Sequence, residues 1–107
     1  MDQPRSNARF VSQDPIDGTF AVGSTNFSIV VRDLSVTGAQ IEHANALRAS
    51  TRGILTVGKL DTPAVVVWTR MSTPGVYRSG LRLEERTDIV AAEIRDMLAE
   101  GIIHAND

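Results

Sequence analysis

Asn26-Phe27-Ser28-Ile29-Val30-Val31-Arg32-Asp33-Leu34, followed by Ser35-Val36-Thr37-Gly38-Ala39-Gln40-Ile41, is the stretch on which the fold turns. The first nine residues are rich in β-branched and aromatic side chains, which suit a pleated, half-buried surface. They run into an acid, a hydroxyl and a glycine packed into one turn, after which Val36 to Ile41 resumes as a partner strand. Working outward, Gly53 to Leu60 and Ala64 to Arg70 form a second candidate hairpin across Asp61-Thr62-Pro63. Gly75 then turns the chain into a last strand, Val76 to Leu83. Upstream, Phe10-Val11 begins an extended stretch that Asp14-Pro15-Ile16-Asp17-Gly18 interrupts, so the first strand is irregular. Short strands at regular spacing predict a small antiparallel barrel, which removes unpaired edges by closing on itself.

Past Leu83 the apolar period changes. Val90, Ile94, Met97 and Leu98 recur at i, i+4, i+7 and i+8, with Glu93, Asp96 and Glu100 off that stripe, as in an amphipathic helix with one buried face. Thr87 or Asp88 would cap its start and Gly101 its end. The simplest place for the apolar stripe is over one mouth of the barrel. The expected fold is therefore mainly β, a small six-stranded antiparallel β-barrel with a C-terminal α-helix. It forms one domain over residues 1–107, with a flexible arm at 1–9, the barrel at 10–84 and the helix at 87–100.

Composition bounds the function. A chain of 107 residues should bury roughly 60–70% of its unfolded surface, enough for one core without staples. The absence of cysteine excludes a disulfide framework and a thiolate metal site and fits a reducing compartment. No apolar run reaches the ~18 residues of a membrane span, and Met1-Asp2-Gln3-Pro4-Arg5 leads into no signal-peptide core, so a cytoplasmic protein without membrane insertion is expected. Eleven basic against thirteen acidic residues give a net charge of −2, which argues against binding DNA or RNA, since a duplex is held by many neutralised phosphates.

Chemistry concentrates in two runs. Arg5 and Arg9 stand four apart in a polar N-terminus. Each offers a planar fork that can donate to O6 and N7 of guanine, grip a phosphate or stack on a base. Asp33 can do the reverse and accept from the N1–H and N2–H₂ donors of a guanine, while Ser35 adds a small donor and acceptor and Gly38 lets a backbone come close to a ligand. The case for an enzyme is poor. His43 and His104 fall in polar loop-like or terminal sequence without metal-ligand spacing, Glu84-Glu85 point to opposite faces of a strand, and there is no nucleophile elbow, phosphate-binding loop or cysteine nucleophile.

This order of motifs, RxxxR at Arg5 to Arg9 followed by DxSxxG at Asp33 to Gly38, resembles the PilZ family, the bacterial receptors for cyclic di-GMP. The likeness extends through Val65-Val66-Val67-Trp68, through Tyr77-Arg78-Ser79-Gly80-Leu81-Arg82-Leu83 and into the last helix. It implies a receptor that binds cyclic di-GMP through Arg5, Arg9, Asp33, Ser35 and Gly38, with Trp68 bordering the nucleotide, and that needs no cofactor. It also implies output to a protein partner in trans or through oligomerisation, the N-terminal arm folding over the ligand as it binds. The alternative that the resemblance leaves is a PilZ-like adaptor that binds no nucleotide and serves a pilus, flagellar or polysaccharide-export machine. Many members carry a further basic residue directly before RxxxR, at a position that resembles the one implicated in binding a stacked pair of nucleotides. Here it is Pro4, without charge or donor, which counts against the two-nucleotide mode.

Overall fold

The computed structural model of the chain describes residues 9–11, 16–101 and 104–106, with the backbone alone at 9–11 and 104–106. Along the chain run β1 (Arg9–Val11), β2 (Ile16–Val22), β3 (Thr25–Leu34), β4 (Gly38–His43), β5 (Arg52–Val57), β6 (Leu60–Thr73), β7 (Val76–Leu83), α1 (Thr87–Ala99) and β8 (His104–Asn106). The strands follow the order β2-β5-β6-β7-β4-β3, and β2 pairs back onto β3, so these six close into an antiparallel barrel. β1 and β8 continue the sheet outside the ring. Phe10 of β1 lies opposite Leu34 on the edge of β3 that β2 leaves at Val31, and β8 pairs with β1 from Arg9↔Asn106 to Val11↔His104.

Alternation fills the barrel. Phe20, Ile29, Val31, Ile41, Leu55, Val57, Val66, Leu81 and Leu83 point inward and are all under a tenth exposed. Each large apolar side chain so buried contributes about 1.5–3 kcal/mol of transfer free energy, which is what holds the strands in register. The helix stripe joins the same core through Val90, Ile94 and Met97. It packs at the β5–β6 turn, where the Met97 sulfur lies 3.0 Å from the place a Cβ on Gly58 would take. A surface pair of Lys59 and Glu100, 3.3 Å apart, lies beside it.

Several boundaries differ from the sequence reading. The β5–β6 hairpin turns at Gly58-Lys59, not at Asp61-Thr62-Pro63, because Val57 pairs with Leu60 and Gly58 supplies the positive φ of 57° that a tight two-residue loop needs there. Pro63 sits inside β6 opposite Ile54. Proline costs a strand only its donor, and its carbonyl is still used, accepting the Glu84 N–H at 2.8 Å. Gly75 turns the β6–β7 hairpin as expected, following Pro74 with a φ of 81°. The helix starts at Thr87, but its N-cap is Arg86, one residue before the expected caps, with no side-chain cap bond; Asp88 instead pairs with Arg86 at 2.9 Å. The single irregular first strand of the sequence reading is two elements, β1 outside the ring and β2 within it, and β8 was not anticipated.

Candidate functional site

Two β-bulges decide which side chains reach the outer wall. On β3 the register runs Val31↔Ile41 and then Asp33↔Gln40, so Arg32 is an extra residue with no opposite number. Without it, strict alternation would send Asp33 inward after Ile29 and Val31. With it, Leu34 takes the inward place and is 1% exposed, and Asp33 turns to the outer wall, where it is half-buried. β6 repeats the device. Val66 pairs with Leu81 and Trp68 with Gly80, leaving Val67 extra and 52% exposed, so Trp68 leaves the phase of the buried Ala64 and Val66 and lies outside.

The consequence is a transverse row across four neighbouring strands. Asp33 opposes Gln40, Gln40 opposes Gly80, and Gly80 opposes Trp68. At ~4.8 Å per strand the row spans about 14 Å, with a carboxylate at one end and an indole at the other. Asp33, Ser35, Gly38, Gln40, Trp68 and Gly80 are among the residues that border one open cavity of about 240 Å³.

The turn beneath the cavity is built by Ser35. Its N–H donates to the Gly38 carbonyl at 2.8 Å, and its Oγ accepts the Gly38 N–H at 3.1 Å and the Thr37 N–H at 3.4 Å. The Thr37 carbonyl in turn accepts the Leu83 N–H at 2.9 Å, which ties the turn to β7. Ser35 thus shapes the loop, and its oxygen already serves two backbone donors. Gly38 is needed for close approach and not for a left-handed φ: a Cβ there would stand 2.9 Å from the Leu81 carbonyl oxygen.

At the other end, the Arg70 guanidinium lies over the Trp68 ring, 5.0 Å from its centroid. Arg9 enters β1 directly before Phe10, the residue opposite Leu34, so the backbone at Arg9 lies beside the start of the Asp33–Gly38 segment. Arg5 lies outside the described residues, as does most of the arm.

His43 proves to be a core residue and not a loop histidine. It ends β4 at 6% exposure, its Nδ1 accepts the Asn45 N–H at 3.3 Å, and its Nε2 lies 2.7 Å from Ser79 Oγ, which is 2.6 Å from Thr69 Oγ1. Burial pushes its pKa below the ordinary 6.5, and the bond to Nδ1 places the proton of the neutral ring on Nε2. It does not line the row. Among the described residues no group of three or more histidine, cysteine or carboxylate side chains is placed to hold a metal ion, and no helix is long and apolar enough to cross a membrane.

Sequence reasoning missed Gln40 and Gly80. Neither belongs to a motif, and only the pairing of β4 with β7 brings them between Asp33 and Trp68.

A family model described as PilZ domain matches residues 3–100. No curated protein sequence matches the chain significantly. Among solved structures, the PilZ domain with c-di-GMP of YcgR from Escherichia coli superimposes with a TM-score of 0.69 at 14% identity, covering 92% of each chain. The Bacillus subtilis inhibitor of motility (MotI/DgrA) does so with a TM-score of 0.66 at 15% identity; the alignment covers 92% of this chain but only 53% of that one.

Proposed function

The chain belongs to the PilZ domain family, and we propose that it is a receptor for cyclic di-GMP that binds the nucleotide on the outer wall of the barrel. The observation that carries this reading is the row Asp33, Gln40, Gly80, Trp68 bordering a cavity beside the DxSxxG turn. An acid at one end suits the N1–H and N2–H₂ donors of guanine, and an indole at the other offers a face or edge to an aromatic base. Arg5 and Arg9, on the arm that runs into β1, would supply the forks for guanine O6 and N7 and for phosphate. The YcgR domain with the same fold was solved with cyclic di-GMP, which supports the same class of ligand here.

The chain works as a receptor and not as an enzyme on this reading, with no cofactor. Signalling passes to a protein partner in trans as the arm closes over the nucleotide and changes the surface the domain presents.

Isothermal calorimetry of the purified protein with cyclic di-GMP, cyclic di-AMP and GTP tests the assignment. Saturable binding of cyclic di-GMP with weaker binding of the other two is expected. No binding of cyclic di-GMP at millimolar concentration would refute the assignment and leave the nucleotide-independent adaptor as the reading of the fold.

A further inference from the structure

Trp68 is the only tryptophan of the chain, and its neighbours hold its ring in one place. The register sets it directly opposite Gly80, and the pyrrole side of the indole fills the space that a side chain at position 80 would occupy. A Cβ there would stand 2.5 Å from Cε2, 3.0 Å from Cδ1 and nearer still to Nε1. Gly80 does not have a positive φ, so the backbone itself does not demand glycine. Glycine also weakens the interior of a strand, which leaves the seat for the ring as its use.

Arg70 completes the arrangement. It lies opposite Arg78 across the β6–β7 pair, and Arg78 is engaged with Glu42 at 3.2 Å. Like charges directly opposite repel, and Arg70 instead covers the indole.

We propose that Gly80 is a positioning residue of the nucleotide pocket: by leaving its side-chain space empty it lets Trp68 lie across β7 toward Gln40, so that the indole becomes the wall against which a planar base packs. Gln40 and Trp68 stand two strands apart, about 10 Å, too far for one base to touch both unless the ring leans over the strand between them. A methyl at position 80 would push the indole back over β6 and open the cavity. This inference rests on the receptor reading above, but the seating of the ring is measurable without any ligand.

The test uses Gly80→Ala, Trp68→Leu and the double variant, with thermal melting, tryptophan emission of the free protein and calorimetry with cyclic di-GMP. Gly80→Ala should move the emission of Trp68 to longer wavelength as the ring goes into water. It should also weaken cyclic di-GMP roughly 5- to 150-fold, the range of a lost base–aromatic contact. In the Trp68→Leu background the same glycine change should cost no further affinity, since the cycle isolates an effect that acts through the ring. If Gly80→Ala alone fails to fold while the double variant folds, the steric conflict with Trp68 is established by that difference. Unchanged emission in Gly80→Ala overturns the seating. An equal affinity loss with and without Trp68 overturns the mechanism. A wild type that binds no cyclic di-GMP overturns the receptor reading and the pocket role of Gly80 with it, whatever the emission shows.

Discussion

Replacing Asp33 with alanine should weaken cyclic di-GMP by roughly 10- to 150-fold while changing the stability of the free domain by no more than about 1 kcal/mol. The first figure follows from where the carboxylate stands. It is half-buried on the outer wall at the rim of the cavity, so a guanine edge bonded to it is shielded from water on one side. A hydrogen bond to a charged group in such a place is worth about 1.5–3 kcal/mol, and tenfold in affinity corresponds to about 1.4 kcal/mol. The second figure follows from the bulge: Val31 and Leu34 fill the core on either side of Arg32 and Asp33 and neither changes, so the free domain loses only what the half-buried carboxylate itself contributes, about the 1 kcal/mol of a typical net hydrogen bond. Thermal melting reads both quantities in one experiment. At a nucleotide concentration 100 times its Kd, the wild type gains about 2.7 kcal/mol, which in a domain of this size raises Tm by roughly 10 °C. A variant weakened about 30-fold keeps under 1 kcal/mol of that at the same concentration, a rise of about 3 °C. The free variant should melt within a few degrees of the wild type. An undiminished ligand-induced shift in Asp33→Ala would refute the role given to the acid, and so would an equal shift of the wild type with cyclic di-AMP, whose bases lack the N2 amine.

Arg5→Ala/Arg9→Ala should lower affinity by at least about 5-fold per lost bidentate contact without lowering Tm, and calorimetric binding equal to wild type would remove the arm from the site. Gly38→Ala should lose roughly 1–3 kcal/mol of stability, because its Cβ would press on the backbone carbonyl of Leu81, and should weaken the nucleotide as the turn shifts; a melt equal to wild type would contradict the close approach. His43 should make the domain acid-sensitive. Its folded pKa lies below the unfolded 6.5, so its contribution is fully present above pH 6.5 and is lost as pH falls from there through the folded pKa, by up to about 1.4 kcal/mol per pH unit. Melting curves between pH 5 and 7 should therefore fall more steeply for the wild type than for His43→Gln, and parallel curves would contradict the buried neutral ring.

Much of the barrel was legible because its strands alternate in a period of two, as Ile29, Val31, Leu81 and Leu83 do, and the helix because Val90, Ile94 and Met97 keep their spacing. Proline misled at Pro63. It reads as a turn in isolation, yet the Val57–Leu60 pairing needs only Gly58 to reverse the chain, and the strand then carries a proline whose carbonyl still bonds. His43 misled in another way, since a polar residue at a strand end looks exposed until Ser79 of the neighbouring β7, itself bonded to Thr69 of β6, and the Asn45 N–H supply partners. Within the candidate site, Asp33, Ser35 and Gly38 stood out as a motif and Trp68 by the likeness of its strand, and all four border one cavity. What could not be read is their common face. That depends on single inserted residues, Arg32 and Val67, which no local pattern marks as bulges, and Gln40 and Gly80 acquire their place only from register between strands distant in sequence.

A titration of isotopically labelled wild-type protein with cyclic di-GMP, followed through the backbone amides and the indole N–H of Trp68, locates the bound nucleotide on the barrel. The largest shifts should fall at Asp33 to Gln40, at Val67 and Trp68, at Gly80 and Leu81 and at Arg9, while the amides of β2 and β5 on the far side of the barrel hardly move. A spectrum unchanged at millimolar nucleotide, or shifts centred on β2 and β5, would contradict the account.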